Sequence, residues 1–248
     1  MTGETALAAH QTMPPVQVTS AELAPFGRAW TDNGGRLSRT PPYSSTQLTH
    51  VFDRKVGEAL AVMLGGIPVV ELRQNNLNPP LIPAQPDCVE VGPCRVVGGV
   101  RPQNFDVGYR PDGIRFAFDS KTLNDADSVR KNYQNMINDL GTESSSVHTR
   151  FPYAVVGFMV VIPEPCLAPA QRVALTATLL RLTGRVSPVD VQHKAEVISL
   201  VLWDPASGRI DTRWPPAESL LRMERFSAQV EAVYVSRYAG MPPHHLPT

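Results

Sequence analysis

The 248-residue sequence predicts an α/β fold in which a central mixed β-sheet is flanked by helices, and three observations carry that prediction. Strand-period alternation stands on both sides of a Pro-Asp-Gly interruption between Phe105 and Asp119. Apolar residues at three-four spacing mark helices over Leu48 to Met63 and Val129 to Leu140. Two runs, Ala154 to Ile162 and Glu196 to Trp203, are apolar on both faces, the pattern of sheet strands covered from two sides.

Composition sets the bounds. The length fits one α/β domain, read here as residues 44–240, with an N-terminal arm at 1–43 and a flexible tail at 241–248. Lys plus Arg and Asp plus Glu are 23 each, so the chain is neutral. Neutrality disfavours binding through a broad basic surface but leaves room for a few cations around a cleft. The three cysteines, Cys88, Cys94 and Cys166, form no CxxC pair and read as buried thiols in a reducing, cytoplasmic setting. The first residues lack the apolar core of a signal peptide, and the nine-residue run at Ala154 to Ile162 is too short for a membrane span, so no membrane partner is expected.

In chain order, the proline-containing arm has one helical patch near Ala21 to Trp30 and reads as loose or wrapped around a partner. Ser44 or Ser45 caps a helix running to about Gly65, with Asp53 and Glu58 on it. A short strand is expected at Ile67 to Leu72. Residues 73–95 carry five prolines and read as a long loop, whose Asn75, Asn76 and Asn78 suit base edges or phosphates. Arg95 to Val100 is a strand leading into the alternating segment. Asn124 or Asp125 caps a helix over Ala126 to Leu140 that Gly141 ends, its outer face rich in amides and cations. His148 reads as structural, and Arg150 stands at the entrance of the next strand, where it could meet a phosphate. Pro169 to Leu182 and Ala217 to Tyr238 read as helices, with a short strand at Arg209 to Arg213 between them. No internal repeat, Gly-rich phosphate loop or Gly-x-Ser-x-Gly elbow is present.

The chemistry concentrates in Asn104 to Asn124. With a two-residue loop at Pro111-Asp112, Phe105 faces Phe118, Val107 faces Phe116 and Tyr109 faces Ile114, giving one apolar face. The other face collects Asp106, Asp119 and Lys121. In that register Asp106 lies opposite Ala117 and diagonal to Asp119, about 7–8 Å away between Cβ atoms. Carboxylates so placed reach a single metal ion. A type I turn with a glycine bulge at Gly113 is the competing geometry.

An acid on one strand of a hairpin, Asp119-Ser120-Lys121 at the end of the next and an amphipathic helix upstream resemble the PD-(D/E)XK nuclease superfamily, as found in type II restriction endonucleases. The resemblance implies a restriction-endonuclease-like core, a Mg²⁺ ion held by Asp106, Asp119 and the carbonyl of Ser120, and Lys121 beside the attacking water. It also implies a double-stranded DNA substrate and, for two-fold symmetric sites, a homodimer. Pro111-Asp112 imitates the first half of the motif, but seven extended residues would put Asp112 roughly 23 Å from Asp119. The first acid is therefore assigned to Asp106. On the upstream helix Asp53 takes the family's acidic position, or else Asp53 and Glu58 are solvated partners of Arg54 and Lys55. Within the resemblance a repair or junction nuclease is the nearest alternative, and an inactive DNA-binding module is the alternative from another class.

Overall fold

The computed structural model describes residues 11–74 and 78–243, and Asn75, Asn76 and the 244–248 end of the tail lie outside the described residues. Its framework is a seven-stranded mixed sheet whose strands follow one another in chain order, β1 (Val69–Glu71), β2 (Val89–Val97), β3 (Pro102–Tyr109), β4 (Phe116–Thr122), β5 (Val155–Pro163), β6 (Val197–Asp204) and β7 (Arg209–Ile210). β2, β3 and β4 form an antiparallel meander, while β4, β5 and β6 run parallel. Parallel neighbours need crossovers. Helices α3 (Ala126–Arg150) and α4 (Pro169–Leu182) supply them.

Both crossover helices cover one face, where Val129, Met136, Leu140, Leu175 and Leu179 pack on Ala117, Phe158 and Leu200. The other face carries α1 (Ser20–Asp32), α2 (Ser45–Met63) and α5 (Phe226–Tyr238), whose Leu23, Phe52, Val56, Phe226 and Val230 pack on Val107, Phe118 and Trp203. β5 is buried along its whole length and β6 along nearly all of it, which is why their sequences show no alternation. Among the described residues no helix is long and apolar enough to cross a membrane.

Local chemistry explains the helix starts. Ser44 accepts from Gln47 N while Gln47 reaches back to Ser44 N, a capping box that begins α2. Asp125 accepts from Ser128 N to begin α3.

Five elements differ from the sequence reading. The N-terminal segment from residue 11 is neither loose nor free for a partner, because Met13, Val16 and Leu23 are buried in this chain's own core. The proline-rich segment is not all loop. β2 begins at Val89 and passes through Pro93, which is tolerated at a bulge between Val91 and Cys94 where Gly92 adopts φ +116°. α3 continues through Gly141 to Arg150, since tertiary packing of Val147 against the sheet outweighs glycine's preference for a helix end. The last helix starts at Phe226 rather than Ala217, after turns and a 3-10 segment at Met223–Arg225.

The fifth difference is the hairpin. β3 and β4 pair as Val107↔Phe118, Gly108↔Ala117 and Tyr109↔Phe116, two residues out of the expected register. A slip of two leaves the inward and outward alternation of β4 unchanged. The loop is longer than two residues because its arginines have distant partners. Arg110 donates to both Glu90 oxygens, at 2.7 and 2.9 Å, and to the carbonyls of Pro80, Leu81, Ile82 and Arg95, thereby fastening the proline-rich loop. Arg115 donates to Asp112 and to the carbonyl of Pro242, and lies over the Tyr238 ring. Phe105 also departs from the predicted face, joining Val96 and Ala117 while Val107 and Tyr109 stay with the opposite core.

Candidate active site

The last β3–β4 pair is Val107↔Phe118, and beyond it the strands part. β3 continues against β2 as far as Pro102, while β4 continues against β5 as far as Thr122. Asp106 and Asp119 are the first residues past this fork. The slipped register sets them opposite each other rather than diagonally. Asp106 accepts from the Ser120 amide at 3.1 Å and lies 3.3 Å from the Ser120 hydroxyl.

Ser120 faces α2, where Asp53, only 3% exposed, accepts its hydroxyl at 2.5 Å. The hydroxyl has one proton to give, and it goes to Asp53 at the shorter distance, while Asp106 in its protonated form donates to the Asp119 carboxylate beside it. Asp119 and Lys121 point to the α3 side. Lys121 Nζ bridges Asp119 and Glu143, the latter at 2.9 Å, and the Lys121 side chain keeps 21% exposure, so the cluster is reached from solvent. A continuous polar chain results, from Asp53 through Ser120 and Asp106 to Asp119, Lys121 and Glu143.

Burial, reinforced by the Asp119 and Glu71 charges, raises Asp53 well above the ordinary carboxylate range. Burial and the charges of Asp119 and Asp53 do the same to Asp106. Burial, with the Asp119 charge beside it, pushes Glu143 up to about 8. Asp119 is lowered instead, because the Lys121 ammonium overcomes the cost of its burial. Lys121 is raised despite burial by Asp119 and Glu143, so it stays cationic. Asp119 and Lys121 are thus the charged pair of the cluster, and Asp53, Asp106 and Glu143 are shifted toward their neutral forms.

Asp53, Asp106, Asp119 and the Ser120 carbonyl are hard donors suited to a divalent cation, and Glu143 Oε2 is buried with no hydrogen-bond partner. The residues fit such an ion in kind, although among the described residues no three His, Cys, Asp or Glu side chains already converge on one point.

Of the residues singled out in sequence, Asp53, Asp106, Asp119, Ser120 and Lys121 come together. Glu58 does not. It is exposed, 3.8 Å from Arg54 on the outer side of α2. Asp112 is held by Arg115 in the loop, away from the fork. Arg150 donates to the Val97 carbonyl. His148 is buried in α3 between Glu196 and the Gln192 carbonyl, in a network where Glu196 also holds Arg185 and Arg237.

Sequence reasoning missed three residues. Glu143 lay beyond the expected end of α3. His50, one turn before Asp53 and 3.9 Å from it, and Glu71 on β1, 3.4 Å from His50, stand at the mouth. The i,i+3 spacing of His50 and Asp53 was the available signal for one of them. No protein-family model, curated protein or solved structure matches the chain.

Proposed function

We propose that the chain is a metal-dependent endonuclease that hydrolyses phosphodiester bonds in double-stranded DNA, with a restriction-endonuclease-like core of the PD-(D/E)XK type. The observation that carries this reading is the convergence at the strand fork of Asp53, Asp106, Asp119 and Lys121 from three separate elements. The order α2, β1, β2, β3, β4, α3, β5, with the first acid on β3 and Asp-Ser-Lys on β4, supports it further. A surface ion pair would account for Asp119 and Lys121 alone, but not for two more buried acids gathered beside them.

Asp106 and Asp119, with the Ser120 carbonyl, would hold Mg²⁺, and such an ion when bound lowers the pKa of water and offsets phosphate charge. Asp53, tied to Ser120, fixes the α2 side of the cluster. Lys121 is too firmly protonated to serve as a base. Its Nζ holds its proton, donates to an attacking water or a phosphate oxygen and offsets negative charge there. Glu143 positions that ammonium from the α3 side. Within the nuclease reading a sequence-specific type II enzyme acting as a homodimer fits a single domain with long decorating loops.

The test is incubation of the purified protein with mixed plasmid and phage DNA in Mg²⁺, with EDTA as control. Discrete Mg²⁺-dependent fragments are expected, together with loss of cutting but retained binding in Asp119→Ala. Structure-dependent cutting would indicate a repair or junction nuclease. Full activity in Asp119→Ala would remove the assignment.

A further inference from the structure

A polar cavity of about 640 Å³ lies between the segment that joins α1 to α2 and the first turn of α3. Three cationic side chains line it, Arg36 and Arg39 from the segment and Lys131 from the helix, together with the amides of Asn124 and Asn132. Two acids also line it, and both are engaged. Asp125 spends its carboxylate on Ser128, and Asp127 spends its own on Arg130 and Lys131. Arg36 and Arg39 are exposed and have no acidic partner within 4 Å among the described residues. Arg36, Arg39 and Lys131 against Asp125 and Asp127 leave the lining one positive charge in excess, in a chain of zero net charge.

The cavity is anchored to the candidate active site through two elements. Asn124 follows Lys121 by three residues, at most about 10 Å of extended chain. It also holds the arginine segment in place, since Leu37 N donates to its side chain at 3.1 Å and Trp30 Nε1 to its carbonyl at 2.7 Å. Ser45, which lines the cavity from the start of α2, precedes Asp53 by eight residues, about 12 Å along the helix axis. One strand of a duplex carries a phosphate about every 3.4 Å along its axis. The cavity thus lies within a few phosphates of the fork.

We infer that this cavity seats a backbone phosphate of the cut DNA strand, a few nucleotides from the scissile bond, with Arg36 and Arg39 as its principal contacts. The inference rests on the nuclease reading and names where that substrate is held away from the cut. Contacts of this kind position the duplex and carry no base information.

The experiment is fluorescence anisotropy of a labelled mixed-sequence 30-base-pair duplex with the full chain, in Ca²⁺, across 50–200 mM salt. Each phosphate neutralised contributes about 0.9 to the slope of log affinity against log salt. The double variant R36A/R39A is expected to lower that slope by about 0.9, the share of one phosphate, so its affinity falls roughly 3.5-fold less over this salt range than that of the wild type. R36K/R39K keeps the slope near the wild-type value, and so does R209A, which removes an exposed cation at the far sheet edge on β7. An unchanged slope in R36A/R39A, on a wild type that binds the duplex, would overturn the cavity and leave the nuclease reading intact. A wild type that binds no duplex would overturn both.

Discussion

Glu143 offers a test of the buried cluster that needs no substrate. Its side chain is held at about 8, against about 4.3 for a glutamate in an unfolded chain. Because the folded value is raised, the stability it contributes is fully present below about pH 4.3 and is lost as pH rises toward 8. Each unit corresponds to about 1.4 kcal/mol, so up to about 5 kcal/mol of folding stability disappears across that window. Glu143→Gln keeps an oxygen to accept the 2.9 Å bond from Lys121 but has no proton to lose. Urea unfolding in EDTA at pH 5, 6, 7 and 8 should show the variant gaining on the wild type by up to about 1.4 kcal/mol per pH unit. The shared contributions of Asp53 and Asp106 largely cancel in the difference. Parallel stability curves for the two proteins would refute the claim that Glu143 is buried as a neutral acid.

Two further outcomes follow from the same structure. Loading Mg²⁺ at pH 7 should release protons, because burial shifts Asp53 and Asp106 toward their protonated forms and a bound cation favours their carboxylates. Calorimetry in buffers of different ionisation enthalpy measures this, and identical heats would contradict it. Gly27→Ala should cost about 1–3 kcal/mol and lower the melting temperature, because the new Cβ would stand 2.0 Å from the Pro205 carbonyl oxygen where α1 docks. An unchanged melting temperature would show that α1 docks more loosely than described here.

The parts legible in the sequence were those fixed by local chemistry. The alternation of Val107, Tyr109, Phe116 and Phe118 specified two strands, and the caps at Ser44 and Asp125 specified two helix starts. Two acids that meet from neighbouring strands of a hairpin have its turn between them, which points to Asp106 rather than Asp112, and Asp106 lies against Ser120. What escaped depended on distant partners. The loop length followed from Arg110 meeting Glu90 and from Arg115 meeting the carbonyl of Pro242, neither of which leaves a local trace. Pro93 looked incompatible with a strand until Gly92 supplied the bulge. Gly141 looked like a stop signal, and that one residue hid Glu143 from view.

Under the nuclease proposal the acids at the fork, and not the Pro-Asp in the loop, carry the cutting chemistry. The direct measurement is Mg²⁺-dependent cleavage of phage DNA by Asp106→Asn and Asp112→Asn beside the wild type. No cleavage is expected from Asp106→Asn, and cleavage at a near wild-type rate is expected from Asp112→Asn, whose carboxylate is bound by Arg115. Cleavage retained in Asp106→Asn but lost in Asp112→Asn would contradict that assignment.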